Sequence, residues 1–260
     1  MSVDLTANSR CIDLWCAYIS EIGDESLWSR YDALLSDDER ARQARFRFAR
    51  DRRRYLVTRA LVRTALSRYA PVRPENWAFC AGSHGRPAIS VPWPAPALEF
   101  NVSHSSDLVM LGITSGRALG IDAESTEARE ADIAGLDRYF AREESAALLA
   151  LPPAARRRRF FELWTLKESY LKARGMGLAI ALDAFRFDLT GERELTLHMR
   201  SELGDSPGSW RLWQFLLRSD YVAAVCAARG EEIPPRIIVR EVVPLVSERV
   251  IDIEPTRSTG

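Results

Sequence analysis

Residues 161–178 read FELWTLKESYLKARGMGL, and this stretch sets charged side chains into the apolar face of a helix. At 100° per residue, one broad apolar arc is formed by Phe160, Leu163, Trp164, Leu166, Tyr170 and Leu171. Lys167 and Glu168 project inside that arc, and Lys172 lies at its edge. Burying such charges without partners costs several kcal/mol. Three explanations are open: side chains that snorkel to water, a surface pair of Glu168 with Lys172 worth about 0.3–0.5 kcal/mol, or a bound ligand.

The composition is that of an ordinary soluble globular protein. The chain has 260 residues, of which 47% are hydrophobic and 28% charged, enough for one large domain or two smaller ones. It contains no run of 18 apolar residues, and its N-terminus lacks the pattern of a secretory signal, so we expect no membrane partner. The four cysteines have no CxxC spacing and there are three histidines. A zinc site or a disulfide framework is therefore not expected, and the cytoplasm is the expected compartment.

The charge is balanced overall but unevenly placed. Lysine plus arginine and aspartate plus glutamate each number 36. Between positions 40 and 63 stand ten arginines: Arg40, Arg42, Arg45, Arg47, Arg50, Arg52, Arg53, Arg54, Arg59 and Arg63. Such a cluster favours an anionic ligand such as a phosphate or a nucleic acid, the alternative being a solvated helix face. Ser36–Glu39 has the spacing of a capping box, so we predict one helix running from there towards Tyr69, with Arg47 exposed to solvent.

The order of elements predicts an α+β fold. After the arginine helix come strand-like runs over 98–103, 109–114 and 118–123, and 115–117 is a plausible hairpin turn between the last two. Helical patterns cover 133–151 and 160–173, with Gly175 as the C-terminal cap, and strands resume over 184–189, 195–198, 210–217 and 221–228. Because helices and strands are segregated and the strands form hairpins, the fold is α+β rather than alternating βαβ. We predict two similar halves, 1–116 and 117–232, and a C-terminal extension over 233–260.

Two carboxylates stand close together in the second half. Asp122 and Glu124, in Gly120-Ile-Asp-Ala-Glu124, are two residues apart on a predicted strand and leave the same face. They repel each other unless a cation lies between them. With Glu168 they make three oxygen donors, a set suited to Mg²⁺. The alternative is an exposed strand edge with two solvated acids.

Two further motifs fit anion binding in the first half. Phe100-Asn-Val-Ser-His-Ser105 ends a strand in polar groups, so Ser103 and His104 can donate hydrogen bonds to an anion. The loop Gly85-Arg-Pro87 follows a histidine, and its glycine permits close approach of backbone to a ligand. Taken singly, each motif is also typical of an ordinary strand end or turn that binds no ligand.

Taken in order, the motifs resemble one family, the 4′-phosphopantetheinyl transferases of the long, Sfp-like type. The family pattern is G-[KR]-P, F-N-x-S-H-S, G-[IV]-D-x-E and W-x-x-K-E-[AS]-x-x-K-x-x-G-x-G. This chain supplies it at 85–87, 100–105, 120–124 and 164–177, and the similarity extends from about 36 to 228.

The resemblance implies Mg²⁺-dependent transfer of the 4′-phosphopantetheine arm of coenzyme A to a serine of an apo acyl or peptidyl carrier protein, with release of 3′,5′-ADP. It also implies two similar α+β halves in a pseudo-twofold arrangement, coenzyme A in the cleft between them, and a monomer. Fatty-acid, polyketide and nonribosomal-peptide carriers remain open as acceptors.

The resemblance also implies roles for particular positions. The Mg²⁺ ligands are implied to be Asp122, Glu124 and Glu168, and the catalytic set Glu168, Lys172 and Asp122. The coenzyme A contacts are implied to be Arg42, Arg54, Gly85, Arg86, Pro87, Ser103, His104, Lys167 and Lys172, with the two lysines on the pyrophosphate and Arg42 and Arg54 towards the 3′-phosphate. The general base is left open among Glu168, Glu144 and a metal-bound water.

Two other functions compete with this one. A Mg²⁺-dependent nuclease or phosphohydrolase uses the same carboxylates and lysine, but does not require the motif at 100–105. A nucleic-acid-binding module built on the arginine helix is the non-enzymatic alternative. The net charge of zero speaks against it, so we expect no nucleic-acid partner.

Overall fold

Helices and strands alternate in blocks along the chain, in agreement with the predicted α+β class. The computed structural model describes residues 10–82, 87–90, 98–127, 131–176, 180–230 and 233–260. The α-helices are α1 Ser26–Asp32, α2 Asp37–Ala44, α3 Ala49–Leu66, α4 Arg142–Leu149 and α5 Pro153–Arg174. The strands are β1 Cys11–Tyr18, β2 Phe79–Ala81, β3 Pro87–Ile89, β4 Leu98–Ser105, β5 Leu108–Ser115, β6 Leu119–Ser125, β7 Phe185–Asp188, β8 Thr196–Met199, β9 Trp210–Leu217, β10 Tyr221–Ala228, β11 Arg236–Val243, β12 Ser247–Ile251 and β13 Arg257–Ser258.

The chain divides into two compact units. Unit 1 consists of the residues up to 116, apart from a short segment at 83–86, together with 235–252. Unit 2 contains 117–234 and 253–260. The units divide after Gly116, and residues after 232 are shared between them.

Unit 1 is a five-stranded sheet covered by α3. Its strand order is β12-β11-β1-β5-β4, with β1 and β11 parallel and the other pairs antiparallel. Val57, Leu61 and Ala65 repeat at four-residue spacing along α3 and enter one apolar core with Val109 and Leu111 of β5. This periodicity places the buried face of the helix on the sheet.

The predicted arginine helix is two helices. The capping box is present, since Glu39 N donates to Ser36 Oγ and Ser36 N donates to Glu39 Oε2. However, α2 ends at Ala44, and Phe48 has extended backbone angles before α3 begins. Glu39 binds Arg63 of α3 at 2.6 Å and also pairs with Arg59. These ion pairs hold α2 against α3. The prediction of one continuous helix was therefore wrong, because the chain breaks between Ala44 and Ala49 and folds α2 back onto α3.

The predicted hairpin at 115–117 is also wrong. Gly116 has φ 65°, so the chain does turn there. The turn nevertheless joins β5 and β6, which belong to different sheets. The hairpin partner of β5 is β4, with Ser105 paired to Leu108 around Ser106 at φ 51°.

The C-terminal segment is part of the fold rather than a loose extension. β11 pairs with β1 from Cys11↔Arg236 to Cys16↔Glu241, β12 pairs with β11, and β13 joins β9 in unit 2. Asp13 on β1 forms a buried ion pair with Arg240 on β11. Burying either charge alone costs several kcal/mol, so the pair favours this register.

Unit 2 is a four-stranded antiparallel sheet with α5 on one face. The order is β13-β9-β10-β6, and β6 is therefore an edge strand. A separate hairpin of β7 and β8 packs near α4 and the middle of α5. Gly175 ends α5 in the left-handed conformation at φ 65°, as predicted. None of the helices in the described part of the chain is long and apolar enough to span a membrane.

Candidate functional site

Unit 2 brings β6 and α5 together at unusually short range. A β-carbon added to Gly120 would lie 2.9 Å from Ala173 Cα, and closer still to Ser169 O and Ala173 N. A side chain at position 120 is therefore excluded by helix backbone. Residues two and four positions further along the strand share the face of Gly120, so Asp122 and Glu124 are also directed to the side of α5.

The face of β6 towards α5 holds an ion pair. Lys172 Nζ lies 2.7 Å from Asp122 Oδ1. Asp122 is 5% exposed, whereas the side chain of Lys172 is 28% exposed. Glu168 stands one helical turn before Lys172 and is half-buried. The structure thus places Lys172 of the predicted catalytic set directly on Asp122, with Glu168 on the adjoining turn of the same helix face.

The acidic donors suit a hard cation by their chemistry. They are all carboxylates, the ligand type that Mg²⁺ takes up in proteins. In the described ranges, three His, Cys, Asp or Glu side chains do not converge closely enough to hold a metal ion. In the present arrangement the ammonium of Lys172 supplies the positive charge next to Asp122.

Lys167 has a different position from the one predicted. Its side chain is fully buried, with Nζ 2.9 Å from Glu144 Oε2. The same Nζ donates to the carbonyl oxygens of Leu182 and Phe185 at 2.7 and 2.6 Å. An ammonium has three donors, and these three acceptors engage all of them. We therefore remove Lys167 from the pyrophosphate contacts, because it is held inside the core of unit 2.

Glu144 is the other half of this buried pair. Its Oε2 accepts from Ala141 N at 2.8 Å, and its Oε1 accepts from Phe187 N at 2.8 Å. Burial raises the pKa of Glu144, and the charge of Lys167 opposes that rise. Burial likewise lowers the pKa of Lys167 against the opposing charge of Glu144. With both oxygens engaged away from the Asp122 site, Glu144 is a core residue that fixes α4 to α5 and β7 rather than a general base.

The predicted phosphate contacts of unit 1 lie on several elements. His104 is exposed at the end of β4, and Ser103 is buried. Adjacent strand residues point to opposite faces, so this pair does not present both side chains to one ligand face. Arg42 is exposed in the last turn of α2, and Arg54 is half-buried on α3, with one Nη 2.8 Å from Asp51 Oδ1.

Two predicted residues fall outside the described part of the chain. These are Gly85 and Arg86, and Pro87 follows them as the first residue of β3.

Sequence reasoning missed two structural elements of the site. The role of Gly120 in the close packing of α5 was not foreseen, although glycine within a strand is a recognised signal of close backbone approach. The loop residue Asp205 was also missed. It accepts hydrogen bonds from Tyr170 Oη at 2.7 Å and Trp210 Nε1 at 2.8 Å, and it pairs with Arg174, so it fixes the last turns of α5.

Comparison with known proteins matches both units. Residues 23–115 match the family described as 4′-phosphopantetheinyl transferase, N-terminal, and residues 118–226 match the 4′-phosphopantetheinyl transferase superfamily. The 4′-phosphopantetheinyl transferase HetI of Nostoc sp. strain PCC 7120 is 33% identical over 86% of this chain and 91% of its own length. The 4′-phosphopantetheinyl transferase Sfp of Bacillus subtilis strain 168 is 31% identical over 78% of this chain and 86% of its own length.

A solved structure, the holo-(acyl-carrier-protein) synthase of Thermotoga maritima, matches 54% of this chain and 86% of its own, at 17% identity and a TM-score of 0.35. The family assignment rests on the sequence matches. The chain belongs to the 4′-phosphopantetheinyl transferase superfamily. Within it, the chain is of the long, Sfp-like type, since the N-terminal and the superfamily models match successive parts of one polypeptide.

Proposed function

We propose that the protein transfers the 4′-phosphopantetheine arm of coenzyme A to a serine of an apo acyl or peptidyl carrier protein. The observation that carries this proposal is the ion pair of Lys172 with Asp122 on the face where β6 meets α5, with Glu168 one turn away. That arrangement occurs in a chain whose family acts on phosphopantetheine. The acceptor pathway, whether fatty-acid, polyketide or peptide synthesis, stays open.

The chemistry is a phosphoryl transfer. The serine oxygen forms a bond to the phosphorus that carries the pantetheine arm, and the bond from that phosphorus to the bridging oxygen of the pyrophosphate breaks. The serine hydroxyl loses its proton, and 3′,5′-ADP leaves with the electron pair of the broken bond. Such a reaction requires orientation and neutralised charge more than covalent help from the protein.

The residues around Asp122 fit those two requirements. Lys172, only partly exposed, can turn its ammonium from Asp122 to the charge that develops on the departing phosphate. Glu168 on the neighbouring turn can accept the serine proton, directly or through a water. Asp122 holds Lys172 in place before substrate arrives.

Asp122, Glu124 and Glu168 are the residues proposed to hold Mg²⁺. When bound, the metal would supply Lewis-acid stabilisation of the phosphate oxygens. The carboxylate donor set supports this assignment.

The nucleotide end of coenzyme A is assigned to residues of unit 1 and the adjoining loop. The proposed contacts are Arg42, Arg54, Gly85, Arg86, Pro87, Ser103 and His104. The exposure of Arg42 and His104 supports their availability to a ligand. Arg54 is available only in exchange for its bond to Asp51.

The enzyme is proposed to act as a monomer in the cytoplasm. Cys11, Cys16, Cys80 and Cys226 do not form disulfides, as expected in a reducing compartment. The two family models match successive parts of one chain, which supports a monomer. Light scattering coupled to gel filtration tests the oligomeric state, and a dimer at micromolar concentration would contradict it.

The reaction is tested with purified protein, coenzyme A, Mg²⁺ and a panel of apo-carriers from fatty-acid, polyketide and peptide synthesis. Intact-mass measurement should show one phosphopantetheine added to at least one carrier. EDTA should stop the addition, and excess Mg²⁺ should restore it. A panel that stays unmodified would overturn the proposed function, and undiminished activity in EDTA would overturn the metal assignment alone.

The assignment of Arg42 is tested with a matched arginine. Arg42→Ala should raise KM for coenzyme A roughly ten-fold or more, the scale of a charge-assisted hydrogen bond, while sparing dephospho-coenzyme A. Arg47 is an exposed arginine on the next segment, and Arg47→Ala should leave the ratio of the KM values for coenzyme A and dephospho-coenzyme A unchanged. Equal losses for both substrates in Arg42→Ala would remove this residue from the 3′-phosphate site.

A further inference from the structure

The segment between α2 and α3 carries exposed arginines around an exposed phenylalanine. We call this the Arg/Phe patch, and it consists of Arg45, Arg47, Phe48, Arg50, Arg52 and Arg53. It excludes Arg42 and Arg54, which are assigned above to coenzyme A.

Side chains within the patch contact one another and the backbone beneath them. The guanidinium carbons of Arg47 and Arg50 each lie 5.5 Å from the ring centroid of Phe48. Arg52 Nη1 donates to the carbonyl oxygens of Phe46 and Arg47 at 2.8 and 3.2 Å, which fixes the backbone under the ring. Phe48 is 52% exposed and the side chain of Arg50 is 83% exposed. The patch therefore presents an aromatic ring flanked by cations to the solvent.

This placement works against the stability of α3. The N-terminus of a helix favours anions, because its unpaired N–H groups give it a partial positive charge. The first turns of α3 instead hold Arg50, Arg52 and Arg53, and Asp51, the acidic residue of the first turn, is held by Arg54. An anionic partner would relieve this repulsion and would cover Phe48 at the same time.

We propose that the Arg/Phe patch docks an acidic surface of the carrier protein that receives the phosphopantetheine arm. The inference rests on the proposed function, which requires a macromolecular substrate. Arginine and aromatic residues are the types enriched in the energetically dominant parts of protein–protein interfaces. Phe48 would contact an apolar side chain of the carrier, and Arg47 and Arg50 would pair with carboxylates around it.

The choice of a protein over a nucleic acid follows from the charge. The chain as a whole has no excess of positive charge, 36 basic against 36 acidic residues. Nucleic-acid binding draws on many phosphate contacts spread along a groove. The patch offers a short arginine cluster centred on one aromatic ring, which matches the size of an interface anchor.

The test uses the apo-carrier that the wild-type enzyme modifies fastest and three variants: Arg47→Glu/Arg50→Glu, Phe48→Ala and Arg73→Glu. Arg73 is an exposed arginine of unit 1 outside the patch and is the matched control. The charge reversal should raise KM for the carrier roughly 10- to 100-fold, the range of interface hot spots. It should leave kcat and KM for coenzyme A within about two-fold, because the patch lies outside the assigned coenzyme A contacts.

Phe48→Ala should also raise KM for the carrier, and Arg73→Glu should match the wild type. Raising the salt concentration should weaken carrier use by the wild type much more than by the charge-reversed variant. Salt screens the ion pairs between the patch and the carrier, and the variant has already lost those pairs. Thermal unfolding of each variant shows whether the fold is kept. Arg47→Gln/Arg50→Gln, which removes charge without reversing it, should fall between the wild type and the reversal.

An unchanged KM for the carrier in the charge-reversed variant would overturn the inference. A raised KM for coenzyme A instead would assign the patch to the nucleotide. Salt-sensitive DNA binding that is lost in the variant, with carrier KM unchanged, would assign it to nucleic acid.

Direct binding separates this inference from the proposed function. If the wild type modifies none of the carriers, each is titrated against wild type and variant by fluorescence anisotropy. Binding that depends on Arg47 and Arg50 would support the patch although the transfer activity had failed. Absence of binding to every carrier would overturn both.

Discussion

The two faces of α5 use the same residue type in opposite ways. On one face, Lys167 is fully buried and its ammonium has three acceptors, namely Glu144 and two carbonyl oxygens. On the other, Lys172 is partly exposed and forms an ion pair with the carboxylate of Asp122 at 2.7 Å. Five positions along one helix separate a lysine that is held in the core from one that solvent reaches.

The contrast shows why a charge inside an apolar arc does not by itself indicate a site. A buried ion pair with all its donors engaged specifies packing, because removing one partner leaves the other charged in the core. A pair that water can reach is weaker, and its cation is free to be drawn to a more highly charged group. Burial distinguishes the two, since the side chain of Lys167 is 0% exposed and that of Lys172 is 28% exposed, and burial cannot be read from the sequence.

The largest expected effect is on folding, at Lys167. Lys167→Met should lower the free energy of unfolding by about 3–5 kcal/mol, because Glu144 is left charged and buried. Lys172→Met should lower it by much less, since solvent reaches that pair. Urea unfolding of both variants measures the difference.

The double variant Lys167→Met/Glu144→Gln removes the uncompensated charge and should recover part of the loss. If Lys167→Met proved as stable as Lys172→Met, the assignment of Lys167 to the core would be wrong.

On the other face the expected effect is on turnover. Asp122→Ala and Glu168→Ala should each lower kcat at least ~10²-fold, the scale of one preorganised electrostatic group. The double variant should lose much less than the product of the two, because both act on one site. Glu143→Ala, on an exposed position of α4, serves as the control. Fully multiplicative losses would show that Asp122 and Glu168 act separately.

Gly120 packs against Ser169 and Ala173 of α5, on the same face of β6 as Asp122, and should affect both stability and turnover. Gly120→Ala places a methyl group against the backbone of Ser169 and Ala173, which should cost about 1–3 kcal/mol of stability by overpacking. The methyl group would also push α5 away from β6. Because α5 carries Glu168 and Lys172, turnover should also fall. Gly208→Ala is the matched control, since its nearest neighbour is Ser206 Oγ at 3.7 Å. A Gly120→Ala enzyme with full stability and activity would contradict the close packing of β6 and α5.

The smallest effect is expected at Tyr170, which is buried near the end of α5. Tyr170→Phe removes the hydrogen bond to Asp205 at 2.7 Å and should cost roughly 0.5–1.5 kcal/mol. Turnover should stay close to that of the wild type, because the ring remains and the hydroxyl lies away from Lys172. A large loss of kcat without a loss of stability would place Tyr170 in the chemistry.

Local signals in the sequence predicted much of unit 2. The strands over 210–217 and 221–228 were predicted with the bounds that the structure shows. The cap at Gly175 and the shared face of Asp122 and Glu124 follow from short-range rules on helix ends and strand alternation.

What could not be predicted depends on partners distant in sequence. The strands β1 and β11 were not predicted, because hydrophobic and polar residues do not alternate clearly in either of them. The charges of Asp13 and Arg240 look out of place in these strands until the two residues are seen to form an ion pair. The break between α2 and α3 contains neither proline nor glycine and depends on Glu39 binding Arg59 and Arg63. Likewise, Lys167 could be told from Lys172 only once Glu144 was known to lie beside it.

The pairing of Cys11 with Arg236 has a consequence for biosynthesis. The sheet of unit 1 acquires its fourth and fifth strands, β11 and β12, only after residues 117–234 of unit 2 have been translated. At about 5–20 residues per second, β1 waits tens of seconds for its parallel partner while Asp13 has no Arg240 to bind. During that interval unit 2, whose sheet draws mainly on residues after 117, can complete most of its own structure. Unit 2 is thus expected to complete its fold before unit 1 on the ribosome, and the edge of β1 that receives β11 to be the part that a chaperone protects.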